Sequence, residues 1–320
     1  MRILLTGSSG WLGRHLAPML RDAGHGVVGF DTAPGTDTQV IGTVADRALV
    51  DRTFAEHAID AVVHAGALHK PDIARFPQQA FIDVNVTGAL NLLEAAVAHA
   101  ASRFVFTSTT SLMITQAIRD ERAGEAVWLD EGSGPLAPRN IYGVTKRSAE
   151  ELCRLTQADS GLPVVVLRTA RFFPEEDDTH DALSGENMKA NEFLNRRLTV
   201  EDCARAHVAA LKRAPRIGFG TYIVSAPTPF AREDAASLKA DAPAVIARYF
   251  PDAPALYAAR GWSLPASVGR IYDAGAIERD LGFRCATDFA AVLDSLRVGT
   301  PLPFAHDASY VSPQQNIAAG

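Results

Sequence analysis

Short apolar runs rich in β-branched residues alternate with longer stretches whose apolar residues recur three and four apart, from the N-terminus to about residue 170. A strand buried on both faces reads as a continuous apolar run and a packed helix as a stripe, so the alternation predicts βαβ units building a parallel sheet. Strands are expected at Arg2 to Thr6, Gly26 to Phe30, Gln39 to Ile41, Ala61 to Ala65, Arg103 to Ser108 and Val164 to Arg168. Helical stretches rich in Ala and Leu, such as Trp11 to Ala23 and Gly88 to Ala100, lie between them. Right-handed crossovers then cover both faces of the sheet.

After Pro174 the pattern changes. Glu175-Glu176-Asp177-Asp178 opens a polar stretch running to Arg197 without strand periodicity, which reads as a loop or lid. Beyond it come a helix from Val200 to Lys212, a strand from Thr221 to Ser225, and two or three later helices in a smaller C-terminal region. From Thr300 the chain carries Pro301, Pro303 and Pro313 among small and polar residues, and reads as an arm or disordered tail.

Composition narrows the classes of partner. At 320 residues and 47% hydrophobic the chain has ample core. Its net charge of −6 disfavours nucleic acid and anionic membrane, whose surfaces attract basic proteins, and leaves a small molecule as the expected partner. Cys153, Cys203 and Cys285 have no paired spacing, so neither a disulfide framework nor a zinc site is expected, and a reducing cytoplasm is. His64 and His69, five apart, do not share one helical face, and no metal is expected. The apolar run after Met1 is too short for a signal-peptide core or a bilayer span.

Gly7-Ser8-Ser9-Gly10-Trp11-Leu12-Gly13 lies between the first strand and the first helix. Glycines there allow a tight turn and close backbone approach, and the helix N-terminus offers N–H groups and positive dipole to a pyrophosphate. Asp31 stands 18 residues past Gly13 at the end of the second strand, near the spacing of the acid that holds the adenosine ribose. A carboxylate there accepts from ribose hydroxyls and repels a 2′-phosphate. With no basic residue in Thr32-Ala33-Pro34-Gly35, NAD is favoured over NADP.

Tyr142 and Lys146 open a helical stretch and, four apart, share one face. A free Tyr titrates near pH ~10, and a nearby cation favours the phenolate, making it a usable proton acceptor. Phe104 to Ser111 ends a buried strand in a run of hydroxyls, at the edge facing the crevice where α/β sheets bind ligands.

Taken together these features resemble the extended short-chain dehydrogenase/reductases, the NAD-dependent epimerase/dehydratase family, over residues 1 to about 300. Further motifs carry the resemblance in order: Val63-His64-Ala65-Gly66-Ala67, Asp83-Val84-Asn85-Val86-Thr87-Gly88, Leu167-Arg168, and Val200-Glu201-Asp202-Cys203-Ala204-Arg205-Ala206. The resemblance implies that Thr109 hydrogen-bonds the reacting oxygen and Tyr142 exchanges its proton. It implies that Lys146 holds the nicotinamide ribose and depresses the Tyr142 pKa. NAD is then lined by Gly7, Gly10, Trp11, Leu12, Gly13, Asp31, Thr43, Val44, Ala65, Gly66, Ala67 and Asn85, with Tyr142 and Lys146. Thr43 stands where an acid often contacts adenine. His64, on a buried strand, is expected to be a core residue.

Departures from the family narrow the substrate. Thr109-Thr110-Ser111-Leu112 lacks the adjacent Asp-Glu pair of the dehydratases. Thr169-Ala170-Arg171-Phe172-Phe173-Pro174 replaces the aromatic and Asn of nucleotide-sugar epimerases, with only 26 positions from Pro174 to Val200. This segment is more similar to that of the sugar-acid dehydrogenases. Thr109, Thr110 and Arg171 are expected to touch the substrate, Arg171 by pairing with a carboxylate or phosphate.

The expectation is an α/β, Rossmann-type doubly wound parallel sheet with a small C-terminal substrate-binding region. Residues 1–170 form the NAD-binding domain, its sheet completed by 198–226; residues 171–197 and 227–300 form a reduced substrate-binding region, and 301–320 a tail. The expected activity is NAD-dependent hydride transfer at a carbinol of a sugar or sugar acid, in a cytoplasmic homodimer. A nucleotide-sugar 4-epimerase is the alternative within enzymes, and a non-catalytic NAD-binding regulator the alternative outside them. The intact Thr109, Tyr142 and Lys146 set disfavours the regulator.

Overall fold

The computed structural model describes residues 1–176 and 183–313. In chain order the strands are β1 (Arg2–Thr6), β2 (Gly26–Asp31), β3 (Val40–Ile41), β4 (Ala61–His64), β5 (Phe104–Thr109), β6 (Val127–Leu129), β7 (Val164–Thr169), β8 (Phe219–Val224) and β9 (Arg270–Tyr272). Seven run parallel in one sheet of order β3-β2-β1-β4-β5-β7-β8, while β6 and β9 form a separate parallel pair. The order reverses between β1 and β4, and at such a switch point the carboxyl ends of the strands open a crevice. The expected doubly wound α/β sheet is thus present.

Helices α1 (Trp11–Asp22), α2 (Arg47–His57), α3 (Gln78–Phe81) and α4 (Gly88–Ala98) belong to the first half, and a π-helical segment, Ile82–Thr87, joins α3 to α4. They are followed by α5 (Gln116–Arg119), α6 (Ile141–Ser160), α7 (Gly185–Glu192) and α8 (Val200–Ile217). Leu12, Leu16 and Leu20 of α1 and Ala206, Ala210 and Ala214 of α8 share a core with Ile3, Leu5, Val63 and Val165. Val50 and Phe54 of α2, Leu92 and Leu93 of α4 and Ala149 and Cys153 of α6 share another with Leu4, Val62, Phe104 and Val166. Strand residues alternate between these two clusters because successive side chains point to opposite faces. The stretch Gln78–Ala98 is long and apolar enough to cross a membrane, but half of it is buried inside the protein, where Leu92, Leu93 and Ala96 complete the core.

The C-terminal region adds α9 (Ala235–Ala240), α10 (Ala242–Tyr249), α11 (Ala253–Ala259), α12 (Gly275–Leu281) and α13 (Phe289–Val298), with a core of its own around Tyr257, Phe289 and Leu293.

Two expectations are corrected. The stretch after Pro174 is not a lid throughout, because α7 is buried and begins at Ser184, whose side chain accepts from the Asn187 N–H. Its polar residues hid this, since they face backbone rather than water. Asn187 and Asn191 both donate to the Ser263 carbonyl, and Asn195 donates to that of Arg270. Asp177 and Asp178 lie outside the described residues. The tail, in turn, is packed on the protein over its described part: Phe304 is buried in the C-terminal core and stacks on Phe193. The helix expected from Val200 to Lys212 also runs on to Ile217, carrying Pro215 within its last turn.

Candidate active site

The glycine turn follows β1 directly. Gly7 has φ +73°, and a Cβ there would come within 2.7 Å of the Gly66 nitrogen; a Cβ on Gly13 would come within 2.1 Å of the Gly7 carbonyl oxygen. Only glycine lets α1 and the loop after β4 close on this turn. That loop is pinned to β1 by the Gly66 N–H donating to Thr6 Oγ1, which also bonds His64 Nδ1 at 2.7 Å. His64 is buried and pushed down to about 3 by desolvation and then by the Lys146 charge, so it is a neutral core residue, as expected. No side chain caps the start of α1, a setting that suits an anion.

Asp31 at the end of β2 is buried, and its carboxylate accepts from the Ser9 and Ala33 N–H groups, both at 3.0 Å. It therefore bridges the glycine turn and the β2 edge, where a ribose at this crevice would sit. The Gly42 N–H donates to the Asp31 carbonyl, bringing Thr43 and Val44 to the same end. Thr43 Oγ1 accepts from Ala45 N–H, while Val44 packs on Gly88 and its carbonyl accepts from Asn91. These residues fit the adenosine half of a dinucleotide.

Asn85 is buried behind the loop that follows β4. Its amide donates to the Leu68 carbonyl and Thr145 Oγ1 and accepts from the Leu68 N–H. Its side chain thus holds the Ala65–Leu68 loop and ties it to α6. Thr110 is likewise turned inward, its hydroxyl donating to the Thr169 carbonyl to stitch β5 to β7.

Tyr142 lies in the first turn of α6, whose N-cap Asn140 accepts from the Gly143 N–H. The Thr109 side chain, at the end of β5, lies close enough to the Tyr142 phenol to favour its ionised form. One turn on, Lys146 donates to the Thr107 carbonyl at 2.8 Å and stands 4.7 Å over the Phe106 ring. Thr109, Tyr142 and Lys146 are all buried. Desolvation pushes Tyr142 up to about 12, opposed by Thr109 and reinforced by the Asp72 charge, and pushes Lys146 down to about 7. The expected depression of Tyr142 by Lys146 is not found, because burial penalises both charged forms.

α6 is fixed by a buried network. Glu150 accepts from Ser108 Oγ at 2.6 Å and from Arg168 Nη2 at 2.7 Å, joining the helix to β5 and β7. From sequence alone Glu150 and Asp72 are not singled out, Arg168 reads only as part of a motif, and His69 is weighed only as a metal ligand. The His69 ring centroid is 5.8 Å from that of Tyr142 and 5.6 Å from that of Phe173. The His69 N–H donates to the Asp72 carboxylate. The available signal was position: His69 follows the strand at the switch point.

Arg171 is half-exposed, 3.9 Å from Glu192, a buried carboxylate that Arg196 and Arg197 also approach, at 3.2 and 2.9 Å. Among the described residues Arg171 thus approaches Glu192, and its charge also acts on Glu175. Among the described residues, no cluster of three or more His, Cys, Asp or Glu side chains is placed to hold a metal ion.

Residues 3–222 match the model of the NAD dependent epimerase/dehydratase family. The chain is 31% identical over 176 residues to UDP-glucose 4-epimerase of Azospirillum brasilense, covering 52% of this chain and 48% of that protein. It is 30% identical over 247 residues to dTDP-glucose 4,6-dehydratase of Neisseria meningitidis serogroup B, covering 64% and 66%. The chain spans about half the length of most of the curated relatives it matches. In fold it is similar to a short-chain dehydrogenase/reductase superfamily protein from Agrobacterium tumefaciens solved with bound NAD, with TM-score 0.65, 23% identity and coverage of 93% and 96%. It is similar also to WbmG of Bordetella bronchiseptica in complex with NAD and UDP, with TM-score 0.61, 22% identity and coverage of 97% and 99%.

Proposed function

Since the chain belongs to the NAD dependent epimerase/dehydratase family, we propose that it is an NAD-dependent enzyme moving a hydride at a carbinol carbon of a sugar or sugar acid. The observation that carries this reading is the burial of Thr109, Tyr142 and Lys146 at one strand end, with Thr109 close enough to the phenol to favour its ionised form and Lys146 one helical turn away. A protein that only sensed NAD has no use for a buried proton acceptor held against a second hydroxyl.

Asp31 would hold the adenosine ribose, the uncapped start of α1 the pyrophosphate, and Lys146 the nicotinamide ribose. When bound, NAD would supply the hydride acceptor and a positive charge that favours a phenolate. The Tyr142 oxygen takes the proton from the substrate hydroxyl as the carbon loses hydride, which leaves a carbonyl. The Thr109 hydroxyl donates to that same oxygen and orients it. Lys146 stabilises the phenolate by its charge.

The curated relatives favour a second reading, a nucleotide-sugar 4-epimerase, in which the hydride returns to the opposite face. Absorbance at 340 nm separates the two: net oxidation of uronic acids or aldoses accumulates NADH, whereas an epimerase converts UDP-sugars with no net change. In either case Tyr142→Phe is expected to lower kcat by at least about 100-fold while NAD still binds. Near-normal turnover in that variant would remove Tyr142 from the chemistry.

A further inference from the structure

Beyond α13 the chain turns back across the molecule. Phe304 anchors it in the C-terminal core. His306 Nδ1 then meets Lys189 Nζ at 2.7 Å, its Nε2 stands 3.6 Å from Glu176, and the Asp307 N–H donates to the Pro174 carbonyl. These contacts bind the strap to the segment that follows β7. Three residues later the Tyr310 ring packs edge-on against Trp11, with centroids 5.2 Å apart, and the Arg14 guanidinium lies 5.5 Å from the Trp11 ring and 5.8 Å from that of Tyr310. Trp11 is the first residue of α1, inside the glycine turn. The Tyr310 oxygen lies close enough to the Trp11 backbone N–H and to Arg14 for both to favour its ionised form, against the opposing effect of burial.

We propose that residues 304–310 are a clasp on the cofactor site, in which Tyr310 is a positioning residue that holds Trp11 and Arg14 at the pyrophosphate end and slows NAD release. The inference rests on the NAD-binding reading above, and three arguments support it. The strap is anchored at both ends, so closing it requires little further ordering of the chain. Its far end touches the turn that receives the phosphates rather than a distant surface. It also brings a phenol beside the Arg14 guanidinium of α1, both donors, at a helix start that already suits an anion.

The test uses the full chain with NADH as probe, following bound-cofactor fluorescence in a stopped-flow displacement. Tyr310→Ala and a chain ending at Asp307 are each expected to release NADH roughly 10-fold faster and bind it correspondingly more weakly, through loss of the edge-on ring contact and the cation–π contact. Tyr310→Phe, which keeps the ring on Trp11, is expected to restore most of the slow release. The thermal midpoint of the cofactor-free protein is expected to change little, since Phe304 and His306 remain. Unchanged release from Tyr310→Ala would overturn the clasp. So would tighter binding, because the strap would then be a competitor of the cofactor. A wild-type chain that fails to bind NADH would instead refute the NAD reading itself, so the two failures are distinguishable.

Discussion

Lys146 gives the most direct test of how the site is balanced. Its ammonium is buried beneath β5 and its pKa falls from 10.5 to about 7, chiefly by desolvation. In the window between those values the unfolded chain binds more protons at this group than the folded one does, so stability rises with pH. Below pH ~7 the folded protein carries the full penalty. A shift of about three to four units corresponds to about 4–5 kcal/mol at pH ~6 and about 2 kcal/mol at pH ~9, at 1.36 kcal/mol per unit. Lys146→Met removes this penalty, but leaves the buried Thr107 carbonyl without its donor, at a cost of about 1–3 kcal/mol. The variant is therefore expected to be inactive yet more stable than wild type by about 2 kcal/mol at pH ~6, with the gap narrowing by about 2–3 kcal/mol by pH ~9. Urea unfolding of the cofactor-free proteins at both pH values measures this. Taking the difference cancels Lys189, whose pKa is also depressed, to about 8. A pH-independent difference, or a variant less stable at pH ~6, would refute the reasoning.

Two further outcomes follow from the two ends of the crevice. Asp31 holds its carboxylate between Ser9 and Ala33 with no base beside it in sequence, so calorimetry is expected to show NAD binding tighter than NADP, with Asp31→Ala narrowing the gap; equal or reversed constants in the wild type would refute the assignment. Arg171→Met is expected to raise KM for an acidic sugar roughly 10- to 100-fold and spare a neutral analogue. Equal losses for both, with a lower thermal midpoint, would mean that Arg171 serves Glu192 and not the substrate, and would return weight to the epimerase reading.

The sheet was legible because its strands are buried on both faces. No polar alternation interrupts Ala61-Val62-Val63 or Val164-Val165-Val166-Leu167, so neither reads as a half-exposed strand, and both runs are too short for a packed helix. The glycine turn was legible for a different reason, since Gly7 and Gly13 stand where any Cβ would collide with backbone. Tyr142 and Lys146 shared a face by the helical period, but their roles were legible only together with the glycine turn and the ordered motifs. Strand ends shifted by a residue: β2 extends to Asp31 and β5 to Thr109, so each of these candidate site residues terminates a strand.

What sequence could not show is where polar residues are turned inward. Periodicity arguments assume that polar side chains seek water, yet α7 buries Asn187, Lys189, Asn191 and Glu192 on backbone carbonyls, a histidine and arginines. Glu150 and Arg168 lie 18 positions apart and pair across a helix and a strand, a contact only the tertiary fold creates. The same holds for the strap, where one Phe in a proline-rich tail is a weak signal until its pocket against Phe193 is seen. Buried polar groups must be bonded, because each one left unpaired costs about 1–3 kcal/mol. Their partners therefore constrain geometry more tightly than apolar contacts do. In this protein those partners fix α6, on which Tyr142 stands, and fix α7, so the residues hardest to read from sequence are ones that set the frame of the proposed site.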